Sequence, residues 1–248
     1  MSALAVAGLS KAFGALRVAD GIDLAVPEGE RRGIIGPNGA GKTTFFNIIS
    51  GWLRPDAGRV EVFGRDVTGL APDRIAHSGV RRSFQKSALF DGLTVAENLR
   101  LAVQATDGSR FDPWRGTARH RRVVAAAQAL AERVGLAEDL SRRAGELSYG
   151  RKRQLEIALA LAEEPRILLL DEPAAGASPY ERRLLADLLQ ALPRDITIVL
   201  VEHDLDFVFN LCDRITVLVR GRVLMTGSPG EVAASSEVQT AYLGTAHA

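Results

Sequence analysis

The sequence predicts an α/β fold: a mostly parallel sheet, an N-terminal antiparallel β subdomain before it and a helical subdomain inserted into it. Two continuous apolar runs, 166–172 and 196–204, are typical of parallel strands buried on both faces. Residues 3–26 alternate between apolar and other side chains, which indicates half-buried antiparallel strands. Residues 86–164 show mainly helical patterns. We therefore expect a single domain over residues 1–248, with residues 86–164 as the helical insertion.

Four elements are predicted before residue 86, each from its local pattern. They are a strand, a helix, a hairpin and a second strand, over residues 31–36, 42–50, 58–67 and 79–85. Gly51 is expected to end the helix, because glycine accepts the left-handed conformation that often follows a helix. The pair Gly64-Arg65 is expected to form the hairpin turn.

Helices are predicted for most of the remaining chain. Thr94 is followed three residues later by Glu97, a capping-box pattern that marks a helix start. Three further helices are expected from apolar positions at helical spacing, over residues 118–134, 150–164 and 179–192. The last of these lies between the two apolar runs, so we expect it to be the crossover helix between two parallel strands.

Composition and charge exclude several classes of protein. The chain has 248 residues, 46% hydrophobic and 25% charged, which is ordinary for a globular domain. A net charge of +1 argues against a nucleic-acid partner, and we interpret the basic run 119–122 as a solvated helix face. The single cysteine, Cys212, excludes an intramolecular disulfide. No signal-peptide pattern and no apolar run of roughly 20 residues is found. We expect a cytosolic chain, or one held at a membrane by a partner.

A phosphate-binding loop is predicted at Gly36–Thr43, where GPNGAGKT fits the pattern G-x-x-x-x-G-K-[ST] between a strand and a helix. Glycines allow the backbone amides to converge on phosphates, and the helix adds its positive end. Lys42 can reach the β and γ oxygens, and the Thr43 hydroxyl can ligate Mg²⁺. The alternative is a glycine-rich turn without a ligand. The predicted nucleotide-binding residues here are Asn38, Gly39, Ala40, Gly41, Lys42, Thr43 and Thr44.

Two carboxylates follow the first continuous apolar run. Asp171 and Glu172 lie at its C-terminal end, the edge at which open α/β sheets bind ligands. Because neighbouring strand residues point in opposite directions, Asp171 can face Mg²⁺ while Glu172 faces a different point, such as an attacking water. The alternative is a pair of solvated loop charges, which the buried strand before them makes less favourable.

Three more side chains are candidates, and each has a structural alternative. His203 ends the second apolar run and can reach the γ-phosphate, although a lone histidine is usually structural. Gln85 ends the strand before the helical part, where it can sense Mg²⁺ or water, or be only a polar strand end. Phe13 can stack on adenine or belong to the core of a β-strand.

This set of motifs resembles the nucleotide-binding subunits of ABC transporters, over residues 4–244. Seven motifs follow one another in the family order. They are an aromatic loop at Phe13, the phosphate loop, a glutamine loop at Gln85, a signature, the acidic strand, a D-loop and a switch histidine at His203. The full series is far more specific than the phosphate loop alone.

The signature of this chain is LSYGR, where the commonest family form is LSGGQ. Ser148 and Gly150 keep that form, whereas Tyr149 and Arg151 depart from it, and Ser178 in the D-loop stands where many relatives carry aspartate. The resemblance implies that the signature helix of one subunit closes over ATP held by the phosphate loop of another. Ser148 and Gly150 would then bind the nucleotide from the opposite side, in an ATP-sandwich dimer.

The resemblance also implies an Mg-dependent ATPase coupled to transport, with ATP and Mg²⁺ as cofactors. The catalytic residues it implies are Lys42, Gln85, Glu172 and His203, and the Mg²⁺ ligands are Thr43, Gln85 and Asp171. The adenine would stack on Phe13. A nucleotide-binding regulator without turnover is the alternative, and the presence of Glu172 counts against it.

A narrower resemblance is to the ATPase subunits of branched-chain amino-acid importers, carried by KTTFFNIISG, DEPAAG and VEHDLDFV. It implies membrane permease subunits and a second ATPase subunit as partners, a periplasmic or extracellular substrate-binding protein as an indirect one, and a place on the cytoplasmic face of the cell membrane. The alternatives are the similar ATPases of urea importers or lipopolysaccharide exporters, or a non-transport ABC-type ATPase acting on ribosomes or DNA. The last is disfavoured because the chain carries one cassette and an insertion of only about 80 residues.

Overall fold

The computed structural model describes residues 2–83, 89–106 and 116–243, and the chain divides into two compact units. One unit comprises Met1–Arg82, Arg166–Pro173 and Leu192–Ala248, and the other comprises Ser83–Pro165 and Ala174–Ala191. Within the described residues, the first unit contains two β-sheets, and the second contains four α-helices and two short 3₁₀ turns.

The larger sheet has six strands and is mostly parallel. Its members are β3 (Arg31–Ile35), β6 (Val80–Ser83), β7 (Ile167–Asp171), β8 (Thr197–Val201), β9 (Arg214–Val219) and β10 (Arg222–Gly227), in the order β10-β9-β3-β8-β7-β6. Strand β3 is parallel to β8 and β9, and β7 is parallel to β8, whereas β10 is antiparallel to β9. All residues of β3, β7 and β8 are buried. The continuous apolar runs predict this for β7 and β8, whereas β3 also buries Arg31 and Arg32.

The smaller sheet is antiparallel and comes from the N-terminal part of the chain. It contains β1 (Ser2–Phe13), β2 (Leu16–Pro27), β4 (Ala57–Val62) and β5 (Arg65–Asp66), in the order β2-β1-β4-β5. The buried side chains of β1 and β2 include Leu4, Val6, Ile22 and Leu24. The predicted α/β fold with an N-terminal antiparallel part is therefore confirmed.

The hairpin between β4 and β5 turns one residue earlier than predicted. Val62 pairs with Arg65, so the turn residues are Phe63 and Gly64, with φ of 49° and 75°. A two-residue hairpin turn of type I′ requires this left-handed conformation at both positions. Phe63 is an unusual residue there, and its ring packs under the guanidinium of Arg166, whose Cζ lies 3.4 Å from the ring centroid. The turn at Phe63, which local residue preferences do not predict, is thus accompanied by a contact with Arg166, a residue distant in the sequence.

The helices in the described part of the first unit are α1 (Lys42–Ile49), α2 (Pro72–His77), α7 (Leu205–Leu211), α8 (Pro229–Ala234) and α9 (Ser236–Leu243). Helix α1 packs against β7 and β8 through its buried residues Phe45, Phe46, Ile48 and Ile49. This packing fixes the helix start beside the strand ends that carry the candidate site.

The second unit contains α3 (Val95–Thr106), α4 (Gly116–Arg133), α5 (Tyr149–Leu161) and α6 (Pro179–Ala191). The capping box before α3 is confirmed. The Thr94 amide donates to Glu97 Oε2 at 2.7 Å, and the Glu97 amide donates to Thr94 Oγ1 at 3.2 Å. Helix α5 packs against α3, α4 and α6.

Candidate nucleotide-binding site

The register of the larger sheet places three candidate segments side by side. Val201 pairs with Ile34 of β3 on one side and with Asp171 of β7 on the other. Parallel strands lie about 4.8 Å apart, so the segments that follow these three residues leave the sheet at one edge. They are the phosphate loop from Gly36, Glu172 after Asp171, and the segment containing His203.

Two glycines of the phosphate loop are required by close packing. A Cβ atom on Gly36 would lie 2.1 Å from the Leu218 carbonyl oxygen, and one on Gly41 would lie 2.4 Å from the Val18 carbonyl oxygen. Gly39 has a different reason to be glycine. A Cβ there would meet nothing within 4 Å, but its backbone is left-handed, with a φ of 77°. Glycine at position 39 therefore serves the backbone conformation of a loop that faces open space.

The loop leads into α1 with its amide donors exposed at the helix start. Gly41, the residue before α1, is left-handed and has no side chain to cap the helix. Asn38, Gly39 and Thr43 are exposed, Thr44 is half-buried, and Ala40 is buried. Ala40 anchors the loop to the segment after β9, because its carbonyl accepts a hydrogen bond from the Gly221 amide at 3.0 Å. This arrangement is suited to an anion, because the first amides of a helix have no partner within the helix.

Lys42 forms hydrogen bonds with the loop that precedes it. Its Nζ donates to the Gly36 and Pro37 carbonyl oxygens at 2.6 and 3.0 Å. Burial lowers the pKa of Lys42, and the negative charge of Glu172 opposes that shift. The ammonium group is thus partly desolvated and within electrostatic reach of Glu172.

Asp171 ends β7 with a buried carboxylate whose two oxygens differ. Oδ2 accepts a hydrogen bond from Arg82 Nη2 at 2.6 Å. Among the residues that the structure describes, Oδ1 has no hydrogen-bond partner although it is buried. An unpaired buried carboxylate oxygen is costly unless something else satisfies it, and a hard cation such as Mg²⁺ is a suitable group. The sequence analysis missed Arg82, because no local pattern links residues 89 positions apart.

Glu172 has a left-handed backbone, with φ of 47°. This conformation is uncommon for residues other than glycine and costs roughly 1–2 kcal/mol. It is held by a hydrogen bond from the Glu172 amide to the Val201 carbonyl at 2.9 Å. The side chain is half-buried. The bend that turns this side chain away from the strand is thus built by pairing with β8.

His203 is presented at the surface by a buried neighbour. Its side chain is 62% exposed, whereas Glu202 is fully buried. The Glu202 carboxylate accepts hydrogen bonds from the amides of His203 and Asp204, at 2.9 and 3.3 Å. Asp204 then caps α7 by accepting from the Phe207 amide at 3.0 Å. Glu202, which the sequence analysis did not single out, holds the backbone that carries His203.

Phe13 and Gln85 are the two remaining candidates. Phe13 is 51% exposed at the end of β1, where it pairs with Leu16 of β2, so the alternative of a core phenylalanine is wrong. Lys11 Nζ lies 5.8 Å from its ring centroid. The ring is therefore accessible to a stacking partner. Gln85 lies outside the described residues.

In the second unit, the two retained signature residues contact one carboxylate. Ser148 caps α5 by accepting from the Arg151 amide at 3.4 Å, as its position predicts. Glu181 Oε1 accepts from the Gly150 amide at 3.0 Å and from Ser148 Oγ at 3.4 Å. A Cβ on Gly150 would lie 2.6 Å from that oxygen. Glycine at position 150 thus lets an anion reach the helix start, and in this chain that anion is Glu181.

The other oxygen of Glu181 explains the unusual D-loop residue. Oε2 accepts from the Ser178 amide and hydroxyl, at 2.9 and 2.8 Å, in the manner of a capping box for α6. These bonds from Ser178, followed by the one from Gly150, lower the pKa of Glu181. The atypical Tyr149 is held beside them, because its hydroxyl accepts from Arg153 Nη2 at 2.9 Å. The contact of Glu181 with Ser148 and Gly150 could not be predicted, because those two partners belong to a different helix.

The fold and this site define a class, the P-loop nucleotide-binding α/β proteins. A family model described as "ABC transporter" matches residues 19–175, and the chain belongs to that family. It is 41% identical over 250 residues to the high-affinity branched-chain amino acid transport ATP-binding protein LivG of Salmonella typhimurium. It is 39% identical over 251 residues to BraF of Pseudomonas aeruginosa, a protein of the same description. Both alignments cover 98% of each chain.

A solved structure supports the same assignment. The crystal structure of the ADP conformation of MJ1267, an ATP-binding cassette of an ABC transporter, has a TM-score of 0.86 and 32% sequence identity to this chain. The match covers 98% of this chain and 99% of that one. Together with the family match, it confirms the predicted fold and the predicted class of ABC ATPase.

Proposed function

We propose that this chain is the ATP-hydrolysing motor subunit of a membrane importer for branched-chain or related amino acids. The observation that carries the proposal is the 39–41% identity to LivG and BraF over 98% of the chain. In this proposal the phosphates of ATP lie on the loop Gly36–Gly41 and the start of α1, with Lys42 on the β and γ oxygens. The exposed ring of Phe13 stacks on the adenine.

Thr43, Asp171 and Gln85 would hold the Mg²⁺ that accompanies ATP. The buried and unpaired Oδ1 of Asp171 supports this assignment, because Mg²⁺ prefers one or two carboxylates together with phosphate oxygens and waters. When bound, the ion neutralises part of the charge on the β- and γ-phosphates. The protein's own part is to hold the hydroxyl of Thr43 at the start of α1 and the carboxylate of Asp171 at the end of β7.

Glu172 and His203 would act on the reacting end of ATP. The left-handed bend at Glu172 turns its carboxylate away from the direction of Asp171, so it can accept a proton from a water. His203 is exposed on the neighbouring strand end and can donate a hydrogen bond to the γ-phosphate. Catalysis would then consist of positioning and electrostatic stabilisation, as phosphoryl transfer requires.

Ser148 and Gly150 would bind the same ATP from a second ATPase subunit. If the working dimer contains two copies of this chain, mixing two inactive variants tests the assignment. Lys42→Ala removes the ammonium group assigned to the phosphates, and Ser148→Arg fills the space at the signature helix. A mixed dimer has one site with both changes and one site with neither, so mixing should restore part of the ATPase activity.

The mixing experiment also detects the opposite arrangement. If Ser148 served the nucleotide of its own chain, every site in the mixture would carry a change and no activity would return. If the physiological dimer pairs this chain with a paralogue, Ser148→Arg should impair the site whose phosphate loop belongs to the paralogue. Labelling by a photo-crosslinking ATP analogue would show which chain contacts the γ-phosphate.

Glu181 must release the signature residues before a phosphate can bind them. Glu181→Gln keeps the capping ability of the side chain but removes its charge, and charged acceptors bind more strongly than neutral ones. We expect the ATP concentration for half-maximal dimer formation to fall by about 3- to 10-fold, the effect of weakening one charged hydrogen bond. Sedimentation in a Glu172→Gln background, which prevents hydrolysis, provides the measurement.

A second capping box supplies the matched control. Glu231 bonds to the Ser228 amide and hydroxyl at 2.7 and 2.9 Å, as Glu181 does to Ser178, but it caps α8 in the first unit. Glu231→Gln should leave the ATP requirement unchanged. An equal shift in both variants, or a higher ATP requirement in Glu181→Gln, would show that Glu181 does not compete with the nucleotide.

Coupling to transport would require membrane permease subunits, and a periplasmic or extracellular binding protein would deliver the cargo to them. No helix within residues 2–83, 89–106 and 116–243 is long and apolar enough to cross a membrane. We therefore propose that the chain is held at the cytoplasmic face of the cell membrane by those permease subunits, with no part for nucleic acid.

Reconstitution tests the transport proposal. The chain, with the membrane subunits and binding protein encoded beside its gene, should drive ATP-dependent uptake of leucine, isoleucine or valine into vesicles. The Glu172→Gln variant in the same vesicles should abolish uptake. Uptake of urea or movement of lipopolysaccharide would overturn the assigned cargo, and recovery of the chain without any polytopic membrane protein would overturn the motor role.

A further inference from the structure

Arg82, in β6, joins two elements of the candidate nucleotide-binding site. Its Nη2 lies 2.6 Å from Asp171 Oδ2 at the end of β7. Its Nη1 donates to Asn47 Oδ1 at 2.8 Å and to Ser50 Oγ at 2.9 Å. Asn47 belongs to α1 and Ser50 follows its last residue. One guanidinium thus ties the helix after the phosphate loop to the carboxylate assigned to Mg²⁺.

The link is buried, and hydrogen bonds and a neighbouring aromatic ring hold it. The side chain of Arg82 is 12% exposed and that of Asp171 is 1% exposed. The ring of Phe46 flanks the guanidinium, with its centroid 5.7 Å from Cζ. Ser50 Oγ donates to the Phe46 carbonyl at 2.6 Å, which leaves its lone pairs for Arg82. A planar guanidinium held by three acceptors keeps its own orientation and that of its carboxylate partner.

The link also makes the two oxygens of Asp171 different. Arg82 occupies Oδ2, while Oδ1 is buried without a hydrogen-bond partner among the described residues. The hydrogen bond to Oδ2 restricts rotation of the carboxylate. The lone pairs of Oδ1 therefore keep a fixed direction and are available to a ligand. Hydrogen bonds of this kind orient metal ligands in many proteins.

We propose that Arg82 is a positioning residue that orients Asp171 for the Mg²⁺ of bound ATP and couples it to helix α1. The inference rests on the proposed function, in which Asp171 ligates that ion. It assigns to Arg82 no contact with the nucleotide. The expected consequence of losing Arg82 is therefore a loss of Mg²⁺ dependence in ATP binding, with ATP binding in the absence of Mg²⁺ retained.

The test measures the affinity of a fluorescent ATP analogue in excess Mg²⁺ and in EDTA. The dissociation constant in EDTA divided by the dissociation constant in Mg²⁺ reports the contribution of Mg²⁺ to binding. This ratio can be measured without hydrolysis. In Arg82→Gln this ratio should fall by about 10-fold or more, the usual effect of removing a residue that orients a metal ligand. Arg82→Lys should retain part of the ratio, because one ammonium can pair with Asp171 but cannot also reach Asn47 and Ser50.

The neighbouring arginine provides the control. Arg81 lies on the opposite face of β6, because adjacent strand residues point in opposite directions, and its Nη1 donates to the backbone carbonyls of Ala76 and Val80. Arg81→Gln removes the same charge from the same strand and should leave the ratio unchanged. A fall of equal size in Arg81→Gln would mean that charge alone, and not orientation, causes the effect.

Further outcomes separate this inference from the proposed function. If the wild-type chain binds no ATP analogue in either condition, the proposed function fails. If it binds with a ratio of one, the proposed assignment of Asp171 to Mg²⁺ fails. If the wild-type ratio is above one and Arg82→Gln keeps or raises it, only the role of Arg82 is overturned. Should Arg82→Gln not fold, Asn47→Ala removes the helix half of the link alone, and an unchanged ratio in both Asn47→Ala and Arg82→Lys is then the contradicting result.

Discussion

Replacement of Glu172 by glutamine is expected to abolish most ATP turnover while ATP binding persists. Glutamine has the same shape, so the left-handed backbone and its hydrogen bond to Val201 can remain. It cannot accept the proton of the attacking water, and loss of a general base typically costs about 10²- to 10⁴-fold in rate. Steady-state phosphate release measures the rate, and nucleotide titration measures the binding.

We propose that ATP closes the dimer and that hydrolysis reopens it. The same variant should therefore accumulate as a nucleotide-bound dimer. Gel filtration or sedimentation with Mg-ATP, using the native partner subunit if one exists, would reveal it. Glu164→Gln is the matched control, since Glu164 shares the φ of 47° but lies before β7, at the other end of the strand. Turnover near the wild-type rate in Glu172→Gln would remove Glu172 from its proposed role.

Replacement of Lys42 by alanine is expected to weaken triphosphate binding strongly with a small effect on the free protein. The lost hydrogen bonds to Gly36 and Pro37 are offset in part by relief of the desolvation that lowers the pKa of Lys42. With ATP at 100 times its dissociation constant, the wild-type chain should gain about 2.7 kcal/mol in unfolding free energy. If the variant binds 100-fold more weakly, its gain at the same ATP concentration is about 0.4 kcal/mol.

Thermal or denaturant unfolding with and without Mg-ATP measures both gains. Arg59→Ala is a suitable control, because it removes one exposed cation paired with Glu61 and Asp66 in the smaller sheet. In that variant, ATP should raise the unfolding free energy by the same amount as in the wild type, whatever the stability of the variant without ATP. A gain in Lys42→Ala equal to that of the wild type would contradict the assignment of Lys42 to the phosphates.

Much of the fold and part of the site could be predicted because the information is local. The spacing from Gly36 to Thr43, the apolar run before Asp171 and the capping residues Thr94 and Ser148 each lie within a few positions of what they determine. Such patterns report which backbone conformation a segment adopts and which face it buries. The hairpin turn was the local exception, since Phe63 takes a left-handed position that its residue type disfavours.

The sequence by itself determined which segments form strands and helices, where the phosphate loop lies and which carboxylates follow the strand β7. Only the tertiary structure decided which side chains face one another: Arg82 with Asp171, Glu181 with Gly150, and Glu202 beneath His203. It also decided that Phe13 is exposed and that Ile34, Val201 and Asp171 lie in register. The reason is physical. Strand order and helix packing bring together residues that are 31 or 89 positions apart, and no preference within a single segment records its partner in another.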